Sequence, residues 1–377
     1  MTRVLHVVQT LKGGGAETLV RNLLPRMRAR GVDVEVATVY PSNLTPEEKA
    51  ALRAPVHELN RRNRLDFSAP FRLWKLMNRL KPGIVHTHVT TGKYWGRLCA
   101  VVAGVPTIVH TEHSPDPRLE FWERPLSWFL NTRTTAIVTF SERTAAFIRR
   151  RENTPRTLII PNGIQISAPP NNTQRVNARS MLQADNMMIV GVVASLYPLK
   201  NHELATRAFT LLPEATRRKA RLDIFGTGPL EETLKGLVQQ LGIDRHVVFH
   251  GFRTDVHRLM AGFDIFLSVA LGEAAPISFL EAMSALVPIV ATPSIGALDM
   301  VEDGLTGLIA KSWDPTDVAS ALNQALSDEA WRRDSAKRGW SRLVSTYDIE
   351  QTVDKYIELY QRASNPGLQS TNSHRLS

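Results

Sequence analysis

The sequence predicts an α/β chain made of two doubly wound, Rossmann-like domains, and three observations carry that reading. Short β-branched runs alternate with amphipathic helical stretches, the rhythm of parallel strands joined by helical crossovers. The rhythm stops once, at a polar Pro/Asn-rich stretch, and then restarts. The 377 residues also exceed the size at which one hydrophobic core keeps growing, so two domains are expected.

The first series of runs is VLHVV (4–8), VDVEVATVY (32–40), IVHTH (84–88), TIVHTEH (107–113), AIVTFS (136–141) and TLIIPNG (157–163), within a domain drawn over 1–166. SAPPNNTQ (167–174) has no apolar period, and 167–186 reads as a linker. The second series is MIVGVVAS (188–195), LDIFGTG (222–228), HVVFHGF (246–252), DIFLSVA (264–270) and VPIVATP (287–293), within a domain drawn over 187–345. A helical period continues to 361; 346–364 is expected to pack back on the N-terminal domain, and 365–377 to be a disordered tail.

Composition narrows the function classes. No apolar run reaches the roughly 18 residues of a spanning helix, and the first residues read as a strand rather than a secretory signal. The expected location is the cytoplasm, with any membrane contact peripheral. Cys99 is the single cysteine, which excludes an internal disulfide and a multi-cysteine metal site. Residues 1–165 hold 25 Lys and Arg against 13 Asp and Glu, whereas 166–377 hold 21 against 23. The basic first half therefore favours anionic partners or an acidic bilayer surface. No nucleic-acid recognition module accompanies the charge, so nucleic acid is set aside.

In open parallel sheets, ligands bind beyond the carboxyl ends of the strands, so the loops after these runs are where chemistry should sit. Lys12-Gly13-Gly14-Gly15-Ala16-Glu17 lies between the first strand and a helix, where bare backbone and a helix N-terminus can approach a phosphate. It lacks the spacing of a P-loop or of a dinucleotide fingerprint. Lys200, in LYPLKNH after a buried strand, can neutralise a diphosphate, and Gly226-Thr227-Gly228-Pro229 supplies a second close-approach loop. The segment Glu273-Ala274-Ala275-Pro276-Ile277 through Glu281 runs from a strand end into a helix, so two carboxylates bracket a helix start. Carboxylates accept hydrogen bonds from sugar hydroxyls, so one suits a hexose and the other a ribose. No His or acidic spacing suggests a metal site. His86 and His88 read as packing residues, and His110 and His113, three apart, put one histidine at most toward a ligand.

These elements, in this order, resemble the retaining glycosyltransferases of the GT-B fold known as family 4 or group 1, over residues 1 to about 362. The matching residues are Gly14-Gly15-Ala16-Glu17, Thr111-Glu112-His113, Ile160-Pro161-Asn162-Gly163-Ile164, Lys200, Gly226-x-Gly228-Pro229, Gly251-Phe252, Glu273 and Glu281. The resemblance implies two Rossmann-like domains facing across a cleft, a nucleotide-sugar donor as co-substrate, no other cofactor, no metal and retention of configuration. It places His113 by the transferring sugar, Lys200 on the diphosphate, Glu273 on sugar hydroxyls and Glu281 on the ribose. It also brings Gly14 and Gly15 to the phosphates. Ser195, Ala274, Ala275, Pro276 and Ile277 join this donor-binding set, and Gly251 to Arg253, Phe252 included, is expected near the base. Two departures stand out: Ser195 replaces the family's usual arginine, and Ala274 replaces the glycine after the first glutamate.

The basic N-terminal domain is expected to take the acceptor, an anionic lipid-linked glycan of surface or exopolysaccharide assembly. PFRLWKLMNRLKP (70–82) reads first as a helix on its own sheet, and PRLEFWERPLSWFLNTR (117–133) as acceptor or bilayer contact. An epimerase or phosphorylase on the same fold, and a silent sugar-nucleotide binder, are the competing readings.

Overall fold

The computed structural model describes residues 2–63, 66, 68–113, 123–152, 154, 156–184 and 186–364. The chain divides into two compact units, Met1–Gln165 with Ile349–Ser377, and Ile166–Asp348. The first unit holds β1 (Val4–Val8), β2 (Val34–Thr38), β3 (Val56–Glu58), β4 (Ile84–His88), β5 (Thr107–Thr111), β6 (Ala136–Thr139) and β7 (Thr157–Ile159). They form one parallel sheet in the order β3-β2-β1-β4-β5-β6-β7. The second unit holds β8 (Met188–Val193), β9 (Ala220–Phe225), β10 (Val247–Gly251), β11 (Ile265–Ser268), β12 (Ile289–Ala291) and β13 (Gly307–Ile309). Their parallel order is β10-β9-β8-β11-β12-β13. The strand order reverses between β1 and β4 in one sheet and between β8 and β11 in the other. Such switch points are where loops diverge and leave room for a ligand.

Every residue of β1, β2, β4 and β5 is buried, because helices cover both faces of a parallel sheet and favour near-continuous apolar runs. Helix Gly15–Ala29 contributes Leu19, Val20, Leu23, Leu24 and Met27 to that cover. Helix Ser68–Leu80 turns Leu73, Leu76 and Met77 onto its own sheet, which accounts for the apolar half of the 70–82 pattern. In the second unit the core gathers Val190, Val192, Leu222, Ile224, Ile265 and Leu267 from the strands with Phe209 and Leu322 from the helices.

The segment read as a linker corrects the sequence analysis. It carries helix Asn172–Met181, started by a capping box in which Asn171 and Gln174 satisfy each other's backbone N–H. Arg179 of that helix donates to the Gly262, Ala184 and Met187 carbonyls and pairs with Asp264 at 3.0 Å, tying it to the second unit. The expected tail at 365–377 lies outside the described residues.

Helix Ile349–Ser364 belongs to the first unit. Its first N–H, on Ile349, donates to the Ile164 carbonyl at 3.0 Å, and Thr352 Oγ1 donates to the Pro161 carbonyl at 3.1 Å. Arg26 and Arg30 pair with Glu350 at 2.8 and 2.6 Å, and Arg30 also reaches Asp354 at 3.0 Å. The glycine of the IPNGI motif is required here: a Cβ on Gly163 would lie 2.5 Å from Thr352 Oγ1 and 2.7 Å from Ile349 Cα. Gly163→Ala is therefore expected to lower unfolding free energy by about 1–3 kcal/mol in denaturant titration, the usual cost of overpacking a tight contact. An unchanged midpoint would mean that this contact yields freely.

Candidate active site

In the second unit the loops after β8 and β11 meet at the switch point. Leu271 N–H donates to the Leu199 carbonyl at 2.9 Å, and Lys200 Nζ donates to Glu273 Oε1 in a partly buried ion pair. The loop after β9 lies against the first of these. Gly226 has φ +138°, and a Cβ there would lie 2.8 Å from the Ala194 carbonyl carbon. A Cβ on Gly228 would lie 2.5 Å from the Leu196 oxygen. Leu196 N–H donates to Thr227 O at 3.0 Å, so the two loops are joined backbone to backbone with no room for side chains. His202, fully buried two residues after Lys200, is pushed down to about 4 by burial and by the Lys200 charge. It is thus neutral and adds no charge beside the ammonium.

Helix Ile277–Ser284 starts at Pro276, whose extended backbone caps it, and its first-turn N–H groups and positive dipole end face the Glu273 loop. Ala274 and Pro276 are buried, and Ala275 is half-buried. Gly296 N–H donates to the Glu273 carbonyl at 2.7 Å, and a Cβ on Gly296 would lie 2.8 Å from Pro276 Cδ. Glu281 sits further along the helix, and burial pushes its carboxyl up to about 7.

In the first unit, Gly14 caps helix Gly15–Ala29 with extended backbone, and Thr18 N–H and Oγ1 both donate to its carbonyl, at 3.0 and 2.9 Å. A Cβ on Gly14 would clash with the Glu17 carboxyl, whose pKa burial raises. Beside this loop, at the β1/β4 switch point, four histidines form one group. His6 and His86 are register partners, and His88 lies two residues further on the same face of β4. His6 Nδ1 meets His88 Nε2 at 3.0 Å, and His88 Nδ1 meets His113 Nε2 at 3.2 Å. His86 bonds Tyr360 Oη through Nδ1 at 2.6 Å and Thr111 Oγ1 through Nε2 at 2.7 Å. One ring nitrogen each from His6, His86 and His88 lies within 4.8 Å of the others, a spacing that suggests a metal, yet the ring nitrogens are already taken up by these bonds. Burial holds the His6 and His113 imidazoles down to about 3 and those of His86 and His88 well below their ordinary value, so all four are neutral.

The loop after β4 is strained and pinned. Val89 has φ +52°, which a β-branched residue adopts only when its surroundings force it, and a π-helical turn Gly92–Gly96 follows. Lys93 of that turn is buried and pairs with Glu112 at 3.0 Å. Burial alone would raise the Glu112 carboxyl; Lys93 and His110 overrule it and hold the group well below the usual range. The ends of β4 and β5 are thereby locked, and His113 follows Glu112 directly.

Two family models account for most of the chain. "Glycosyltransferase Family 4" matches residues 13–168 and "Glycosyl transferases group 1" matches residues 174–342. The chain is a glycosyltransferase of the family-4 type. EpsF of Bacillus subtilis (strain 168) is 27% identical over 379 residues, 95% of this chain and 96% of its own length. The UDP-Gal:alpha-D-GlcNAc-diphosphoundecaprenol alpha-1,3-galactosyltransferase of Escherichia coli is 26% identical over 312 residues, 78% of this chain and 79% of its own length. The structure of Anabaena Alr3699/HepE in complex with UDP-glucose superposes with a TM-score of 0.84 at 19% identity, covering 96% of this chain and all of that one, and shares its GT-B fold.

Within this glycosyltransferase, the structure places Ser195, Lys200, Gly226, Gly228, Glu273, Ala274, Ala275 and Pro276 on adjoining loops of the second unit, with Ile277 and Glu281 on the helix that follows them. Gly14, Gly15 and His113 stand in the first. Ser195 is exposed, as is Phe252, at 59%. Arg253 pairs with Asp255 at 2.7 Å. Sequence reading missed Gly296, whose signal is a glycine opening a helix after a strand end, and Lys93, whose signal is a lysine between two glycines after IVHTH. It also missed His6 and Tyr360, for which no local signal exists. Of the 117–133 segment, 117–122 lies outside the described residues; helix Glu123–Arg133 exposes Trp128 and Phe129. Among the described residues, no helix is long and apolar enough to cross a membrane.

Glu281 gives a pH signature. Its folded pKa, about 7, stands above the ordinary 4.5, so the native state binds more protons and stability falls as pH rises from 4.5 through 7. Glu281→Gln should remove that fall, making the variant more stable than wild type at pH 8 by on the order of 3 kcal/mol and little different at pH 4.5. Parallel denaturation curves across this range would contradict the burial argument.

Proposed function

We propose that this glycosyltransferase moves a sugar from a nucleoside-diphosphate donor to an acceptor hydroxyl with retention of configuration and without a metal. The observation that carries the reading is the Lys200–Glu273 pair at the β8/β11 switch point, beside the N-terminus of helix Ile277–Ser284. An ammonium and the N–H groups of a helix start suit a departing diphosphate; a carboxylate beside them suits sugar hydroxyls. In the reaction the bond from the anomeric carbon to the diphosphate oxygen breaks, the acceptor oxygen bonds that carbon on the same face, and the acceptor proton passes to the leaving phosphate. Lys200 and the helix N-terminus stabilise the negative charge, while His113 meets the transferring sugar and Glu281 accepts from the ribose hydroxyls. Gly14 and Gly15 offer backbone N–H groups to the phosphates, and Phe252 lies by the base. Ser195 contributes one hydroxyl where the family resemblance implies a guanidinium.

The acceptor on this reading is an anionic lipid-linked glycan, in surface or exopolysaccharide assembly. The galactosyltransferase relative, named for a diphosphoundecaprenol-linked acceptor, supports it, as does the basic first unit with its exposed Phe71, Trp128 and Phe129. The enzyme then works in the cytoplasm against the inner membrane face.

Calorimetry with UDP, GDP and ADP, followed by transfer assays with the matching donor sugar, tests the donor. One nucleotide should bind, Lys200→Ala should lower kcat about 10²–10³-fold, the product should keep the donor's anomeric configuration by NMR, and EDTA should leave the rate unchanged. An inverted product or loss of activity in EDTA overturns the corresponding part. Sedimentation with vesicles tests the membrane contact: retention on anionic vesicles at low salt and release at high salt are expected, and equal retention on neutral vesicles would refute the electrostatic basis.

A further inference from the structure

The proposed chemistry uses His113 but leaves His6, His86, His88 and two buried tyrosines without a task. They are continuous with it. From His113 the bonds run through His88 and His6 to Tyr360 Oη, which lies 3.4 Å from His6 Nε2 and 2.6 Å from His86 Nδ1. From His86 they run through Thr111 Oγ1 at 2.7 Å to Tyr356 Oη at 3.2 Å. All of these groups except the half-buried His113 are buried, and Tyr356 and Tyr360 come from helix Ile349–Ser364.

A neutral imidazole has one N–H and one lone pair, so in such a chain the proton position on one ring dictates the next. Tyr360 decides the direction, because its hydroxyl has a single proton to give to one of two histidines. A phenol is a better donor, and an imidazole nitrogen a better acceptor, than in the reverse pairing, so the single proton lies on the much shorter of the two contacts, 2.6 Å to His86 Nδ1 against 3.4 Å to His6 Nε2. The phenol therefore donates to His86, and at 3.4 Å its oxygen accepts from His6 Nε2–H. His6 Nδ1 must then accept from His88 Nε2–H, and His88 Nδ1 from His113 Nε2–H. On the other limb, His86 Nε2–H donates to Thr111. All four rings carry their proton on Nε2, and His113 keeps the Nδ1 lone pair for a ligand.

We propose that Tyr360 is a positioning residue that acts through His6 and His88 to fix the tautomer of His113, so that His113 presents an acceptor to a hydroxyl of the donor sugar. The tautomer assignment stands on the hydrogen-bond geometry; its consequence for transfer rests on the placement of His113 at the sugar under the proposed function. Tyr356, at the far end, has no part in the direction and serves as the control.

The experiment is ¹⁵N NMR of the full chain labelled at histidine, with kinetics on the same samples. In wild type, His6, His86, His88 and His113 should each show protonated Nε2 and bare Nδ1. In Tyr360→Phe, His6 loses its acceptor, and an orphaned buried N–H costs more than an idle lone pair. The proton on His6, His88 and His113 should move to Nδ1 while His86 stays as it was, with kcat down about tenfold and KM for the nucleotide sugar within twofold. Tyr356→Phe should leave His113 unchanged. Wild-type His113 protonated on Nδ1 overturns the proposal even if Tyr360→Phe fails to fold. So does a folded Tyr360→Phe with His113 still protonated on Nε2, or a stoichiometric metal on these rings. If the tautomers switch but no nucleotide sugar is ever turned over, the relay stands and the transferase reading falls.

Discussion

The return of the chain at Ile349, which lays the last helix on the first unit, is the contact on which the most unusual part of this structure depends. The ion pairs along the seam are half-exposed at Glu350 and Asp354, and such pairs contribute at most about 1 kcal/mol each. The weight rests on Ile349, Val353, Tyr356, Leu359 and Tyr360, all buried, at roughly 1.5–3 kcal/mol for each large apolar side chain. The seam closes tightly only because Gly163 has no side chain where Thr352 and Ile349 press against it. The same helix face that supplies this apolar area also supplies the two phenols that satisfy the histidines beneath.

That second role answers a problem created by the sheet. A parallel sheet buried on both faces favours apolar strands, yet β1 and β4 put imidazoles into the core at the switch point. Each unsatisfied buried polar group costs on the order of 1–3 kcal/mol, so three adjacent histidines are tolerable only if their ring nitrogens are matched. They are matched by one another, by His113, by Thr111 and by Tyr360. The neighbouring Lys93–Glu112 pair follows the same logic. A buried ion pair adds little net stability, but removing either partner costs about 3–5 kcal/mol, so the pair fixes the loop after β4 on the end of β5. Both devices serve position rather than stability, and both converge on the segment that carries His113.

How much of this was legible in the sequence follows from the range of each signal. Strands β1, β4, β5, β8 and β11 announce themselves as short runs rich in β-branched residues, a signal that is written locally. The three-residue edge strands β3 and β13 are too short to show a period. Helix Asn172–Met181 had a signal, Asn171-x-x-Gln174, but the prolines just before it and the polar run made the segment read as linker. At the site, Lys200, Gly226, Gly228, Glu273 and Glu281 each follow a strand end and were found one by one. That Lys200 and Glu273 face each other across 73 positions was not written in either. His86 and His88 could be placed on one face by their spacing, but their partners His6 and Tyr360 lie far away in sequence, and only the sheet order and the returning helix bring them together.

If Lys200 and Glu273 act on the donor as proposed, the departure at Ser195 becomes intelligible through their pair. With the ammonium already held by a carboxylate, the loops after β8 and β11 present little net charge before a ligand arrives. A diphosphate carries more negative charge than one carboxylate and brings geometry that the helix N-terminus can also meet, so it competes for Lys200 on favourable terms. On that proposal, an ammonium turning to the phosphate would leave Glu273 with unpaired acceptors beside the same ligand, which sugar hydroxyls could fill. An arginine at position 195 would bind phosphate without opening the pair and would leave the two events independent. Under the proposed function, serine there would link capture of the diphosphate and recognition of the sugar through one exchange, and a nucleotide lacking its sugar would leave Glu273 without hydroxyl donors.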